Sequence, residues 1–252
     1  MLEILLGLVQ GITEFVPVSS SGHLIVVREW LGGEMVGSLT FDVMLHVATA
    51  LAVIVYFRND LLMLIRTLQS DRRLLYALIV GSIPAAMLGL LFEDMLTALF
   101  RSADAVAWAL IAGSIVFVIA EYGSRRLRPK ELTTRGAFVI GLFQSLALIP
   151  GFSRSGSAIS GGLLLGLDRE QATRFAFILS LPVLLGAGAL KSMDLFGGNE
   201  VIDMGGVALG ALIAFGVGLA AIHFMISYLK NHTLYVFVWY RVVLALLILL
   251  AL

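Results

Sequence analysis

Glu14, Ser19, Ser20, Ser21 and His23 lie close together in the stretch EFVPVSSSGH, and Ser153, Arg154, Ser155 and Gly156 form a second compact group in PGFSRSG. The second group sets hydroxyls, a five-donor guanidinium and backbone N–H groups at the start of a helix. That is an anion site, because a helix N-terminus exposes unpaired donors and Arg matches phosphate oxygens bidentately. The three serines of the first group offer the same chemistry, although each taken singly reads equally well as a helix N-cap. His23 falls in the first turn after that cap, where general acid/base or nucleophilic work explains it better than a core hydrogen bond. Glu14 would repel phosphate unless it orients the histidine, accepts a proton or holds a hard divalent cation. All three uses imply phosphoryl chemistry. A Glu14–Arg154 pair that merely locks two parts of the fold together is the plainer reading, and it leaves the serines unexplained.

The elements that must position these groups are apolar. The chain has 252 residues, 60% hydrophobic and 13% charged, with a mean hydropathy of +1.00, the composition of an integral membrane protein. Its net charge of zero and lack of a basic tail give no basis for nucleic-acid binding, and the absence of cysteine excludes disulfides and thiolate metal sites. The first thirty residues lack a basic leader and a small-residue cleavage site, so they belong to the fold. A membrane-spanning helix needs about 20 apolar residues. Six stretches come near that length: 41–57, 74–92, 105–121, 174–190, 205–229 and 234–252. Regions 1–32 and 136–167 are also apolar, but VPVSSSG and IPGFSRSG break them in the middle. Irregular backbone at membrane depth must be buried in protein or line a wet cavity, so each reads as a re-entrant helix pair.

The two broken regions are related. A shift of 134 residues places GLVQ (7–10) on GLFQ (141–144), SSSG (19–22) on SRSG (153–156), Leu31–Gly32 on Leu165–Gly166, and Asp60 on Asp194, without gaps. Each repeat then holds one re-entrant pair and three spans, and an odd number of crossings inverts the second copy relative to the first. The expected fold is an all-α polytopic membrane protein: one domain over 1–252, with six transmembrane helices and two re-entrant pairs in an inverted repeat, about 1–121 and 135–252. Arginine-rich segments 58–73 and 122–135 face the cytoplasm by the positive-inside rule, while 93–104 and 191–204, carrying Glu93, Asp94, Asp194 and Glu200, face outward. Asp42 and His46, spaced i,i+4, can form a second small site, with an interfacial helix end as the plainer reading. Arg241 lies inside the last apolar stretch, where a carboxylate partner is expected and no chemistry is assigned.

QGITEFVPVSSSGH and PGFSRSG together resemble the two signature motifs of the undecaprenyl-diphosphate phosphatase family of the bacitracin-resistance type. The likeness continues through FDVMLHVATALAVIVYFR, IPAAMLG and the C-terminal YR, and so covers nearly the whole chain. The resemblance implies a multi-pass enzyme of the bacterial inner membrane with an active site opening outward. It would remove the terminal phosphate from an isoprenoid diphosphate lipid with the help of a divalent cation, Mg2+ or Ca2+, among membrane lipids, and it leaves room for a homodimer. By motif position Glu14, Ser20, His23 and Arg154 match catalytic residues, and Ser153 and Ser155 match phosphate contacts, beside Ser19, Ser21 and Gly156 read from the turns themselves. Two departures stand out. Gln10 occupies a place where the family also uses Glu, leaving Glu14 with Gln10 to hold the metal. Ala158 replaces a threonine. Spacing alone allows attack by Ser20, by His23 or by water. A lipid-phosphate transporter gripping the same headgroup is the rival reading, and a structural scaffold is the third.

Overall fold

The computed structural model describes residues 2–31, 39–100, 102–195 and 203–251. Gly32, Glu200 and the last residue of the 234–252 stretch lie outside the described residues, as do the side chains of Glu93, Asp94 and Asp194. All regular structure among the described residues is helical. In chain order the helices are α1 (Leu2–Phe15), α2 (Ser20–Trp30), α3 (Leu39–Tyr56), α4 (Arg58–Thr67), α5 (Arg73–Leu99), α6 (Ala103–Ser124), α7 (Thr134–Ser145), α8 (Arg154–Leu164), α9 (Arg169–Leu195), α10 (Met204–Leu229) and α11 (Tyr235–Ala251).

Four segments, within α5, α6, α9 and α10, are long and apolar enough to cross a membrane, and a fifth is obtained if α3 and α4 count as one span bent by 70°. The sixth expected span, α11, is apolar but has 17 residues. At 1.5 Å per residue it reaches about 26 Å, short of a hydrocarbon core of about 30 Å. By length and composition the described residues support a multi-pass membrane protein of four or five spans, with α11 as a shorter apolar helix beside them.

Both broken regions are broken where expected. Pro17 has no N–H to continue α1, and Ser19 leaves the helical region with φ 76° before α2 begins. In the second region a 3-10 turn at Leu146–Leu148 follows α7, and Ser153 takes φ 74° before α8. Among the described residues these two serines, 134 positions apart, are the non-glycine residues with positive φ. Each conformation costs about 1–2 kcal/mol, and each serine offsets part of that by capping its helix. Gly22 N donates to Ser19 Oγ at 3.4 Å, and Gly156 N donates to Ser153 Oγ at 3.3 Å.

The helices pack in exchanged pairs. α1 lies along α10 and α7 lies along α5, while α3 meets α9 and α6 meets α11. Both of the first two contacts are backbone to backbone at glycines: a Cβ on Gly7 would strike the Gly210 carbonyl, and one on Gly141 would strike the Gly81 carbonyl. Beneath the two turns the largest apolar cluster gathers Phe15, Phe117 and Phe177, with Phe15 meeting Phe177 edge to face at 5.4 Å. Val18, between the two halves of the first turn, and Ala158, early in α8, belong to the same cluster, so it packs against both broken regions.

Candidate active site

Glu14 sits in the last turn of α1, where packing leaves its side chain 3% exposed. A carboxylate buried to this degree needs its oxygens occupied, and partners arrive from four elements. Arg154, the first residue of α8, donates from Nη2 to Oε1 in a short ion pair. Ser20, the first residue of α2, donates its hydroxyl to Oε2 at 2.7 Å, and Gln10, one turn earlier on α1, donates its amide to the same oxygen at 2.8 Å. His46, on α3, places Nδ1 3.0 Å from that Gln10 amide and 3.7 Å from Oε2. A hydroxyl and a guanidinium from opposite halves of the chain thus meet on one carboxylate.

The turns are tied together below this cluster. Ser19 Oγ accepts from Gly151 N at 3.0 Å as well as from its own helix, and Ser19 Oγ lies 3.5 Å from Ser21 Oγ. Ser153 and Ser155 stand in the same relation at 3.3 Å. Gly156 gives its N–H to the Ser153 cap, and a Cβ there would collide with the Phe117 ring and Pro17, so the turns approach closely only because this residue is glycine. Arg241, fully buried, binds both turns at once. Nη1 donates to the carbonyls of Pro17 (3.4 Å) and Phe152 (3.0 Å), Nη2 to those of Gly151 and Leu110 (both 3.0 Å), and Nε to Ser114 Oγ (3.1 Å), with Phe117 stacked 4.6 Å from the guanidinium carbon. All five donors are satisfied by neutral acceptors. The expected carboxylate partner is replaced by carbonyl dipoles that the turns leave unpaired.

His23 follows the α2 cap, as its position in the sequence implies. Nδ1 lies 2.7 Å from the Ser19 carbonyl, which can only accept, so the ring hydrogen is on Nδ1. Nε2, 2.7 Å from Tyr240 Oη, then accepts from the phenol. Both ring nitrogens are engaged, and Ser20 turns to Glu14 instead.

The structure also decides between the uses of Asp42 and His46. Arg28 takes Asp42 in a two-pronged ion pair, one arm at 3.0 Å, while His46 turns to Gln10 and Glu14, so the two do not form a site of their own. Ala158 is fully buried in the main apolar cluster. Among the described residues no three His, Cys, Asp or Glu side chains gather, so a cation at Glu14 needs a neutral donor. Gln10 supplies one: its Oε1 is buried beside Glu14 without a partner. A cavity of about 500 Å³ lies elsewhere, lined by Arg125, Asp168, Arg169, Glu170 and Lys230. Two of its cations are engaged in ion pairs, Arg169 with Glu121 and Lys230 with Glu170.

A family model described as bacitracin resistance protein BacA matches residues 3–247. The chain belongs to the BacA family. Relatives named undecaprenyl-diphosphatase match it along nearly their full length. The protein of Thermobifida fusca is 39% identical over 98% of this chain and 88% of its own, that of Mycobacterium ulcerans 43% over 98% and 94%, and that of Alcanivorax borkumensis 40% over 96% and 94%. Within this BacA-family chain, sequence reasoning brought Glu14, Ser20 and Arg154 to one place. It missed Tyr240 and the role of Arg241, although their adjacency in an apolar helix was a signal, since a tyrosine and an arginine at membrane depth both need partners.

Proposed function

We propose that this chain is an integral membrane phosphatase that hydrolyses undecaprenyl diphosphate to undecaprenyl phosphate and inorganic phosphate, returning the lipid carrier to cell-wall synthesis. The names of its relatives support the substrate, and the observation that carries the chemistry is the Ser20–Glu14–Arg154 constellation. A hydroxyl bonded to a buried carboxylate, beside a guanidinium aimed at the same point, is a nucleophile with its base and its phosphate clamp.

Arg154 grips the diphosphate and draws the terminal phosphorus over Ser20. As Ser20 Oγ bonds to phosphorus, its proton passes to Glu14 and the bridging P–O bond breaks. Glu14 then protonates the departing lipid monophosphate. Recharged as a carboxylate, it takes a proton from the water that attacks the phosphoserine, and that proton returns to Ser20 as inorganic phosphate leaves. Tyr240 and Ser19 hold His23 in one tautomer at the edge of this path. The fit of Gln10 Oε1 and Glu14 to a hard donor set supports a divalent cation there, which would offset charge building on the phosphate oxygens.

The architecture belongs to the same reading: an inverted repeat with two re-entrant pairs, six crossings including a short α11, and a site opening to the outer face of the bacterial inner membrane. The 134-residue offset, the matched Ser19 and Ser153 caps and the exchanged α1–α10 and α7–α5 pairs support it. Phosphate release by purified protein in detergent, where no bilayer separates two sides, tests the enzyme against a transporter. Acid quench with labelled diphosphate tests the nucleophile. A base-labile, acid-stable phosphoester lost in Ser20→Ala supports Ser20, whereas an acid-labile adduct on His23 would overturn it.

A further inference from the structure

Three acceptor-bearing groups meet at one point beside Ser20, and the arrangement is frustrated. As the Gln10 amide stands, Nε2 donates both to Glu14 Oε2 (2.8 Å) and to His46 Nδ1 (3.0 Å), and Oε1 is left buried without a partner. Rotating the carboxamide by half a turn puts Oε1 near the place of Nε2 and Nε2 in the place of Oε1. It also makes three lone-pair donors, a carboxylate oxygen, an amide oxygen and an imidazole nitrogen, converge on one another. A cation held between them makes that second state favourable.

The distances suit such a charge. Glu14 Oε2, the Gln10 amide terminus and His46 Nδ1 form a triangle with edges of 2.8, 3.0 and 3.7 Å. The circle through its corners has a radius of about 1.9 Å, just under the roughly 2.0–2.2 Å bonds that Zn2+ makes to carboxylate oxygen and imidazole nitrogen. A point about 2.1 Å from all three corners therefore exists, slightly out of their plane. The His46 side chain is 34% exposed and the Glu14 side chain 3%, so the imidazole lies at the open edge of the triangle, where an ion can reach it.

We propose that His46 is the third protein ligand of the cation held by Glu14 and Gln10, and that its nitrogen turns the site toward a borderline transition ion such as Mn2+ in preference to Ca2+ or Mg2+. The proposal rests on the reading of Glu14 as a cation ligand. It adds a residue on α3 that the two turn motifs do not contain. It also revises the ion class: an all-oxygen donor set suits Mg2+ and Ca2+, whereas an imidazole in the set favours the first-row transition metals.

The test uses the full chain purified in detergent, with Mn2+ as the probe. Binding is followed by the electron paramagnetic resonance of free Mn2+, and ligation by pulsed resonance, which detects nitrogen coupled to bound Mn2+. Wild-type protein is expected to bind Mn2+ with an imidazole nitrogen modulation that changes when its histidines carry nitrogen-15. His46→Gln, checked for unchanged Tm without metal, is expected to lose that modulation and to bind Mn2+ at least about tenfold more weakly, while Ca2+ affinity changes far less. His46→Asn serves in the same way if the first variant is unstable. Mn2+ bound without nitrogen modulation and with unaltered affinity in the His46 variants would overturn the role of His46 while leaving the cation at Glu14. Absence of Mn2+ binding in wild-type protein, with Glu14→Gln indistinguishable from it, would overturn both.

Discussion

Tyr240 Oη lies 2.7 Å from His23 Nε2, and the two rings stack 5.7 Å apart at 7° to one another. The residues are 217 positions apart in sequence, and the bond joins α11 to the first turn of α2. With Nδ1 donating to Ser19 O, it fixes the imidazole with its lone pair on Nε2. Tyr240→Phe keeps the stacked ring and removes the hydroxyl, so the fold should survive and His23 should lose one of its two restraints. A bond of this kind contributes about 0.5–1.5 kcal/mol. The expected result is a fall in kcat of a few-fold to about tenfold with little change in KM, read from phosphate release. An unchanged kcat would mean either that Ser19 O alone orients the ring or that His23 takes no part in the rate-limiting step.

Arg154→Lys should be nearly as damaging as Arg154→Ala. The guanidinium reaches Glu14 with one arm, leaving other donors for phosphate, and a lysine ammonium is a point charge that cannot span both. Loss of a buried charged hydrogen bond costs roughly 2–5 kcal/mol, so both variants should lose on the order of a hundredfold or more in kcat/KM. Retention of most activity by the lysine variant would show that charge alone matters at this position.

Arg241→Lys should destabilise more than it alters chemistry. Lysine has three donors where Arg241 uses five, and its ammonium cannot lie flat on Phe117 while reaching carbonyls of both turns. At least two buried acceptors are left unpaired, each costing about 1–3 kcal/mol. A clear drop in Tm in detergent is expected, with KM for the lipid diphosphate rising as the turns loosen. A variant of wild-type Tm would mean that Arg241 does not hold the turns.

The parts of this site that were legible in the sequence are those set by local chemistry. Pro17 and Pro150 have no N–H to carry a helix on, and Ser19 and Ser153 are ready caps for the helices that follow, so the breaks and caps follow from residue type. The meeting of Glu14 and Arg154 followed from the cost of leaving either charge unpaired in an apolar chain. What the sequence hid depends on packing between distant helices. Asp42 and His46 look like partners at i,i+4, yet α3 packs on α1 and its first turn meets Arg28 of α2, so Arg28 captures the first and Gln10 the second. Arg241 was expected to find a carboxylate. It finds carbonyls that exist only because two turns, 134 residues apart, come together beneath it.

Gln10→Glu should make stability depend on metal. Gln10 is fully buried and now donates to Glu14 Oε2 at 2.8 Å and to His46 Nδ1 at 3.0 Å. The substitution removes both donors and sets a second carboxylate against the first in a site with little water to screen them. In the presence of a chelator the variant should therefore unfold at a lower temperature than wild type. A divalent ion reverses the sign, since two carboxylates hold it more tightly than a carboxylate and an amide, and an ion that binds only the folded chain raises stability with the logarithm of its concentration. Thermal unfolding in detergent, with chelator and then with rising Mn2+ or Ca2+, should show the variant start below wild type and climb more steeply. Parallel curves for the two proteins would mean that the Gln10 side chain does not face the ion, and that the cation beside Glu14 is misplaced.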